Sequence, residues 1–229
     1  MSPTATHGVL FDVGYGLLDE TPRLKAALRW LATHLTLNGI TTSAEQLEAR
    51  YAEACRAPRL PSLLMQVALA VGADEALTRR LRHELPWEEV PMPPYPGAID
   101  ALRALKAAGA KLGVLANQPL GARRDLEACG ATALLDDVWL SEAVRLAKPD
   151  PAFFRLALTT WGLAAARVAY VGDRPDNDVA PAKALGLHTV RLRLGPHAGQ
   201  PVRGPAEQAD FDALSFAEVA AHLQAWASD

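Results

Sequence analysis

The chain has 229 residues, half of them apolar, and a net charge of −3, which suits one large α/β domain or a core domain with a small insertion. Charges of both signs are mixed along it, with no basic block of the kind that tracks a phosphate backbone, so nucleic acid is not an expected partner. No apolar run approaches about 18 residues, and the opening MSPTATHGVL lacks a basic stretch followed by an apolar one, so the expectation is no membrane span, no secretory leader and a cytoplasmic protein.

In chain order, the first β-type run is Val9-Leu10-Phe11, which ends in Asp12, with Gly14 and Gly16 following in VLFDVGYGLLDE. Residues 19–92 then carry helical patterns at about 22–37, 44–56, 62–72 and 74–84 without an obvious strand, punctuated by Pro61, Gly72 and PMPPYPG. Arg23, Arg56 and Arg59 lie in or between these helices and read as solvated rather than substrate-facing; Trp30, Met65 and Trp87 read as core. A helix over Gly97–Ala108 follows, with Ile99, Leu102 and Leu105 on one face and Gly109 placed to end it. Further short β-type runs are Lys111–Ala116, Asp137–Leu140 and Val168–Val171, the last running into Gly172-Asp173. Asp150-Pro151 opens a helix between the second and third of these. In His188–Leu194, Val190, Leu192 and Leu194 alternate with Arg191 and Arg193, which predicts a strand near an edge with one wet face. Gly195–Ala209 reads as an exposed loop, and His188 and His197 as structural or surface histidines. The last helix runs over Ser215–Ala227, with Ser215 as N-cap and Glu218 completing a capping box. Cys55 and Cys129 lack a metal-site spacing and read as packed thiols. This alternation argues for a parallel sheet with crossover helices, interrupted after its first strand by an all-helical insertion.

Ligands of an open parallel sheet bind beyond the carboxyl ends of its strands. Three such ends carry polar chemistry: Asp12, Asn117 in LAN, and Asp173 in YVGDRPDND, with Asp176 and Asp178 close behind. Lys148, in AKPDP, precedes a helix. Asp12, Asp173 and Asp178 brought together make a hard, oxygen-rich site of the kind that suits Mg²⁺. Lys148 then offsets charge on a nucleophile or a bound phosphate, and a carboxylate beside a divalent cation can attack a phosphoryl group. Taken singly, each Asp is as readily a turn former or helix cap, and Lys148 a surface lysine.

With these residues assembled, the sequence resembles the haloacid dehalogenase-like hydrolase superfamily over essentially its whole length. FDVGYGLLD stands in the place of the family's first motif, Asp-x-Asp-Gly-Thr-Leu; PYPGAIDALRALKAAGAKLGVLANQ resembles the approach to the second; SEAVRLAKPDPAFF contains the third-motif lysine; YVGDRPDNDVAPAKALG is similar to the fourth. The resemblance implies an α/β fold: a Rossmann-like, doubly wound parallel sheet core, residues 1–18 and 93–229, with a helical cap, residues 19–92. It also implies a Mg²⁺-dependent phosphatase of a small phosphorylated metabolite, monomeric or homodimeric, working through an aspartyl-phosphate. Asp12 is then nucleophile and metal ligand, the Gly14 carbonyl, Asp173 and Asp178 complete the metal set, and Lys148 is both catalytic and phosphate-binding. Asn117 and Ala116 stand in the substrate-binding loop.

The chain departs from that pattern on the phosphate side. Gly14 replaces the usual second Asp, the general acid and base, a role worth roughly 10²–10⁴-fold. Tyr15 replaces Gly, Gly16 replaces Thr, and Ala116 replaces the second-motif hydroxyl. The alternative reading is therefore a catalytically impaired protein that binds a phosphorylated ligand or a protein partner. Halide displacement is disfavoured, because that branch has Tyr at the position of Gly14 and lacks the full GDRPDND motif.

Overall fold

The first strand, β1 (Gly8–Phe11), is buried along its whole length, as a strand paired on both edges and covered on both faces must be. In the computed structural model, which describes residues 7–57 and 63–228, the chain then leaves the sheet for a unit of its own, Glu20–Met92. That unit holds α1 (Thr21–Leu37), α2 (Ala44–Ala54), α3 (Leu63–Ala70) and α4 (Glu75–Glu84). In α1 the residues Leu24, Leu28, Leu31 and Leu35 are buried at helical spacing. Ser43 starts α2 with a capping box, its hydroxyl accepting from Gln46 N while the Gln46 side chain accepts from Ser43 N. Asp74 caps α4 through Leu77 N. Arg23 departs from the solvated expectation: it is buried, and its Nε donates to the Val90 carbonyl at 2.6 Å. Arg56 is exposed, and Arg59 and Pro61 lie outside the described residues.

The second unit takes the chain up to Asp19 and from Pro93 onward. It adds α5 (Ala98–Ala107), β2 (Lys111–Ala116), α6 (Ala122–Ala128), β3 (Asp137–Leu140), α7 (Ser141–Val144), α8 (Pro151–Trp161), β4 (Val168–Gly172), α9 (Ala180–Ala184), β5 (His188–Leu192), β6 (Phe211–Ala213) and α10 (Phe216–Trp226). The strands form one parallel sheet in the order β3-β2-β1-β4-β5-β6. This is the doubly wound order, and the direction of winding reverses beside β1. Phe11 pairs with Val114 on one side and Val171 on the other, so the residues after Phe11 and after Val171 emerge side by side at the crevice this reversal opens.

Glycines in the central strands make room for one indole. A Cβ on Gly113 would lie 2.7 Å from the Trp161 ring, and one on Gly8 would lie 2.5 Å from it. Trp161 sits in a cluster with Leu10, Leu115, Trp139, Phe153, Phe154 and Tyr170, and its Nε1 donates to Asp137 Oδ2 at 2.7 Å.

At the other side the structure corrects two expectations. Strand β5 lies near an edge as expected, with the edge itself formed by β6, which the sequence pattern does not reveal. Arg191 does not face water: it is buried, and its guanidinium donates to the carbonyls of Asp173, His197 and Gln200. The segment after β5 supplies two of those acceptors, so His197 and Gln200 are buried in what reads as an exposed loop. Among the described residues no helix is long and apolar enough to cross a membrane.

Candidate active site

Asp12 follows β1 directly, and its N–H donates to the Val171 carbonyl at 2.9 Å, extending the β1–β4 pairing by one residue. The chain then folds back sharply. Leu17 N donates to Asp12 O and Leu18 N to Val13 O, while Tyr15 takes a left-handed conformation at φ 56°. That conformation costs a non-glycine residue roughly 1–2 kcal/mol, and the buried Tyr15 ring packs against Gly195, where an added Cβ would meet it at 2.5 Å. The turn passes so close over Asp12 that a Cβ on Gly16 would lie 2.2 Å from the Asp12 carbonyl oxygen. The family's Thr does not fit this turn.

Asp173 follows β4, and Asp178 lies in a π-helical turn, Pro175–Val179, that leads into α9. Gly172 permits that turn: a Cβ there would lie 2.6 Å from the Asp178 carboxyl. Asp12, Asp173 and Asp178 are all buried and offer oxygens that lie within 4.8 Å of one another. Val13 N donates to Asp12 Oδ1 at 2.8 Å, and Arg174 N donates to Asp178 Oδ2 at 2.9 Å. Lys148 stands against the cluster with no exposed side-chain surface, its Nζ 2.9 Å from Asp12 Oδ2 and 2.7 Å from Asp178 Oδ1.

The ammonium contacts two of the three carboxylates, and among the described residues Asp173 Oδ2 is buried with no hydrogen-bond partner. Burial, against the pull of Lys148, raises Asp12 to about 6. Burial and the charges of Asp178 and Asp12 push Asp173 well above the usual carboxylate range. For Lys148, burial opposes the charge, but Asp12 and Asp178 outweigh it and hold the ammonium above its ordinary value. A hard divalent cation fits such a donor set: carboxylate oxygens converge, one of them lacks a donor among the described residues, and their mutual repulsion favours a bound positive charge.

The remaining sequence candidates take varied places. Asn117 comes to the site, but its side chain turns to the backbone of Lys148: Nδ2 donates to Lys148 O at 2.8 Å, and Oδ1 accepts from Lys148 N at 2.7 Å. Ala116 is fully buried at the end of β2 and offers no hydroxyl. Gly14 bridges to Leu18 within the tight turn. Asp176 lies apart from the cluster, held by the Arg174 guanidinium at 3.2 and 3.0 Å and by Gln200 Nε2 at 3.0 Å. Tyr170 is the residue sequence reasoning misses. Its hydroxyl accepts from Lys148 Nζ at 2.7 Å and donates to Leu115 O at 2.8 Å. The available signal is a phenol in the middle of a strand buried on both faces, since a buried hydroxyl needs a partner.

Comparison with known proteins places these observations in a lineage. The chain is 43% identical over 105 residues to a glyceraldehyde 3-phosphate phosphatase of Methanocaldococcus jannaschii, an alignment covering 45% of this chain and 46% of that one. It is 39% identical over 137 residues to a phosphoglycolate phosphatase of Rhodospirillum rubrum, covering 59% and 56%. The chain thus spans about half the length of these relatives. Its fold is similar to the crystal structure of a predicted phosphoglycolate phosphatase from Haemophilus somnus, with a TM-score of 0.74 at 22% identity, covering 97% of this chain and all of that one. A family profile described as haloacid dehalogenase-like hydrolase matches residues 6–186. With the doubly wound sheet and the buried carboxylates at its reversal point, the match establishes that the chain belongs to the haloacid dehalogenase-like hydrolases.

Proposed function

We propose that the protein is a Mg²⁺-dependent phosphatase of a small phosphorylated metabolite, with Asp12 as the nucleophile. The observation that carries this reading is the buried convergence of Asp12, Asp173 and Asp178, two of them paired with Lys148 and Asp173 Oδ2 left without a donor among the described residues. The names of the relatives, phosphatases of glyceraldehyde 3-phosphate and phosphoglycolate, support a small phosphorylated carbon skeleton as substrate.

In this reading Asp12, the Gly14 carbonyl, Asp173 and Asp178 hold the cation. When bound, it supplies Lewis-acid charge at the phosphoryl oxygens. Asp12 attacks phosphorus as the P–O bond to the leaving group breaks, and the leaving oxygen takes its proton from solvent, since Gly14 has none to give. Water then cleaves the aspartyl-phosphate to inorganic phosphate, restoring the Asp12 carboxylate and returning a proton to solvent. The Val13 N–H and Lys148 Nζ orient the attacking carboxylate and favour its ionised form. Lys148 also offsets the phosphate's charge. The helical unit enters the chain directly after the Asp12 turn.

A second reading rests on what position 14 lacks. Glycine there offers no side chain to protonate a leaving group or activate water, and Ala116 offers no hydroxyl, which favours a binder of phosphorylated ligands with little turnover. Phosphate release from acetyl phosphate and p-nitrophenyl phosphate, with Mg²⁺ and with EDTA, separates the two. The expected result is Mg²⁺-dependent release that Asp12→Asn abolishes. Thermal stabilisation by Mg²⁺ with no release from the folded protein overturns the enzyme reading in favour of the binder.

A further inference from the structure

A lysine ammonium has three N–H donors. In this structure all three of Lys148 are committed: to Asp12 Oδ2 at 2.9 Å, to Asp178 Oδ1 at 2.7 Å and to Tyr170 Oη at 2.7 Å. The first two acceptors are charged members of the carboxylate cluster. The third is a neutral hydroxyl from β4, and its direction is fixed. Tyr170 gives its own hydrogen to Leu115 O of β2 at 2.8 Å, so its lone pair is what faces the ammonium. The ring is fully buried and meets Phe154 of α8 edge-on at 5.1 Å. The hydroxyl is thereby tied to two neighbouring elements, and its satisfaction does not require Lys148, since the bond to Leu115 already supplies a partner.

We propose that Tyr170 is a positioning residue for the Lys148–Asp12 pair: its hydroxyl takes the third ammonium proton and so aims the other two at Asp12 and Asp178. Asn117 completes the hold by fixing the lysine backbone through its N–H and its carbonyl together. A flexible four-carbon stem is thus pinned at both ends, and the charge stays over the nucleophile instead of swinging toward one carboxylate. A phosphate can reach a Lys148 N–H only if one of these three acceptors gives way. The lysine's first duty is therefore to the carboxylates. This inference rests on the proposed role of Asp12.

The test uses the full-length protein, p-nitrophenyl phosphate and Mg²⁺. Removing the acceptor of a buried charged hydrogen bond predicts that Tyr170→Phe lowers kcat by roughly 10- to 100-fold, with KM changed by less than about threefold. In ¹⁵N-lysine-labelled protein, the Lys148 ammonium is expected as a slowly exchanging signal with cross-relaxation to the Tyr170 ring, absent in Lys148→Met and broadened or lost in Tyr170→Phe. A folded Tyr170→Phe protein with unchanged kcat, or with a change in KM alone, overturns the proposal. So does a wild-type protein whose Lys148 ammonium shows no contact with that ring, a result that does not depend on the variant folding. If Asp12→Asn retains full activity, the reading of Asp12 fails, while the ammonium signal still decides whether Tyr170 holds Lys148.

Discussion

Lys148 is the residue on which the electrostatics of the site turn. Its side chain has no exposed surface, and neither has that of Asp178, to which it is paired. Removing one partner of a buried pair strands the other charge, a loss of about 3–5 kcal/mol. Lys148→Met is therefore expected to lower metal-free stability by about that much near neutral pH. The sign of the pH dependence follows from Asp12, which burial raises to about 6 even with the lysine present. An acid raised in the folded state loses stability as pH rises through that value, so the destabilisation should be smaller at pH 5 than at pH 8. Thermal melts of both proteins in EDTA at the two pH values check it. Asp12 and Asp173 are legible in the sequence because each follows the end of an apolar run that reads as a buried strand, and Asp178 because it lies close behind the second of them. Tyr170 is not, because an aromatic ring in such a run looks like packing until its hydroxyl is seen between Lys148 and Leu115. The direction of Asn117 is equally hidden, since an amide at a strand end serves a neighbouring backbone as readily as a ligand.

At the scale of elements, the central strands owe their spacing to what lies across them. Gly113 of β2 leaves no room for a side chain: a Cβ would stand 2.7 Å from Trp161 and 3.2 Å from Leu10 and Trp139. Gly113→Val is expected to cost about 1–3 kcal/mol or more by overpacking, visible as a lower urea midpoint. Strands β1 to β5 can be read from the sequence because four are apolar runs and the fifth alternates. Strand β6 cannot, being only the three residues Phe211–Ala213 with its middle one exposed. Arg191 misleads for a related reason. Alternation identifies a face with polar residues on it, and it cannot distinguish water from a loop whose carbonyls point inward. The buried arginine and the segment through Gln200 form one unit that only the fold reveals.

For the molecule as a whole, a second cluster of titratable groups lies where β5 begins, at the opposite end of that strand from the Asp12 site. His188 and His222 of α10 share a contact of 2.8 Å between their Nε2 atoms, and His222 stacks on Phe211 at 4.0 Å. One nitrogen of the two must act as acceptor, so the contact does not survive double protonation. Burial lowers both histidines; Asp210 opposes this in each case, and His222 and Lys183 add to it at His188. A base lowered in the folded state binds fewer protons there than in the unfolded chain, whose histidines titrate near about 6.5. Its contribution is complete above that value and is lost as pH falls through it. Between pH 7.5 and pH 5.5 the wild-type protein is expected to lose more thermal stability, or gain less, than His222→Gln, a comparison that cancels the opposite slope from Asp12 and Asp173.

The position of β1 in the middle of the sheet has a consequence for synthesis. Of the sheet's strands β1 is made before the others, and its two neighbours come much later: Phe11 waits for Val114 on one side and for Val171 on the other. The helices of the inserted unit, made in between, can form from contacts close in sequence. Until β4 is complete, an apolar strand with an open hydrogen-bonding edge is exposed to other chains. The same interval separates Asp12 from Asp173 and Asp178. A nascent chain therefore carries its candidate nucleophile throughout the period when it is most prone to aggregate, and the residues that would arm that nucleophile arrive together with the strand that ends the danger.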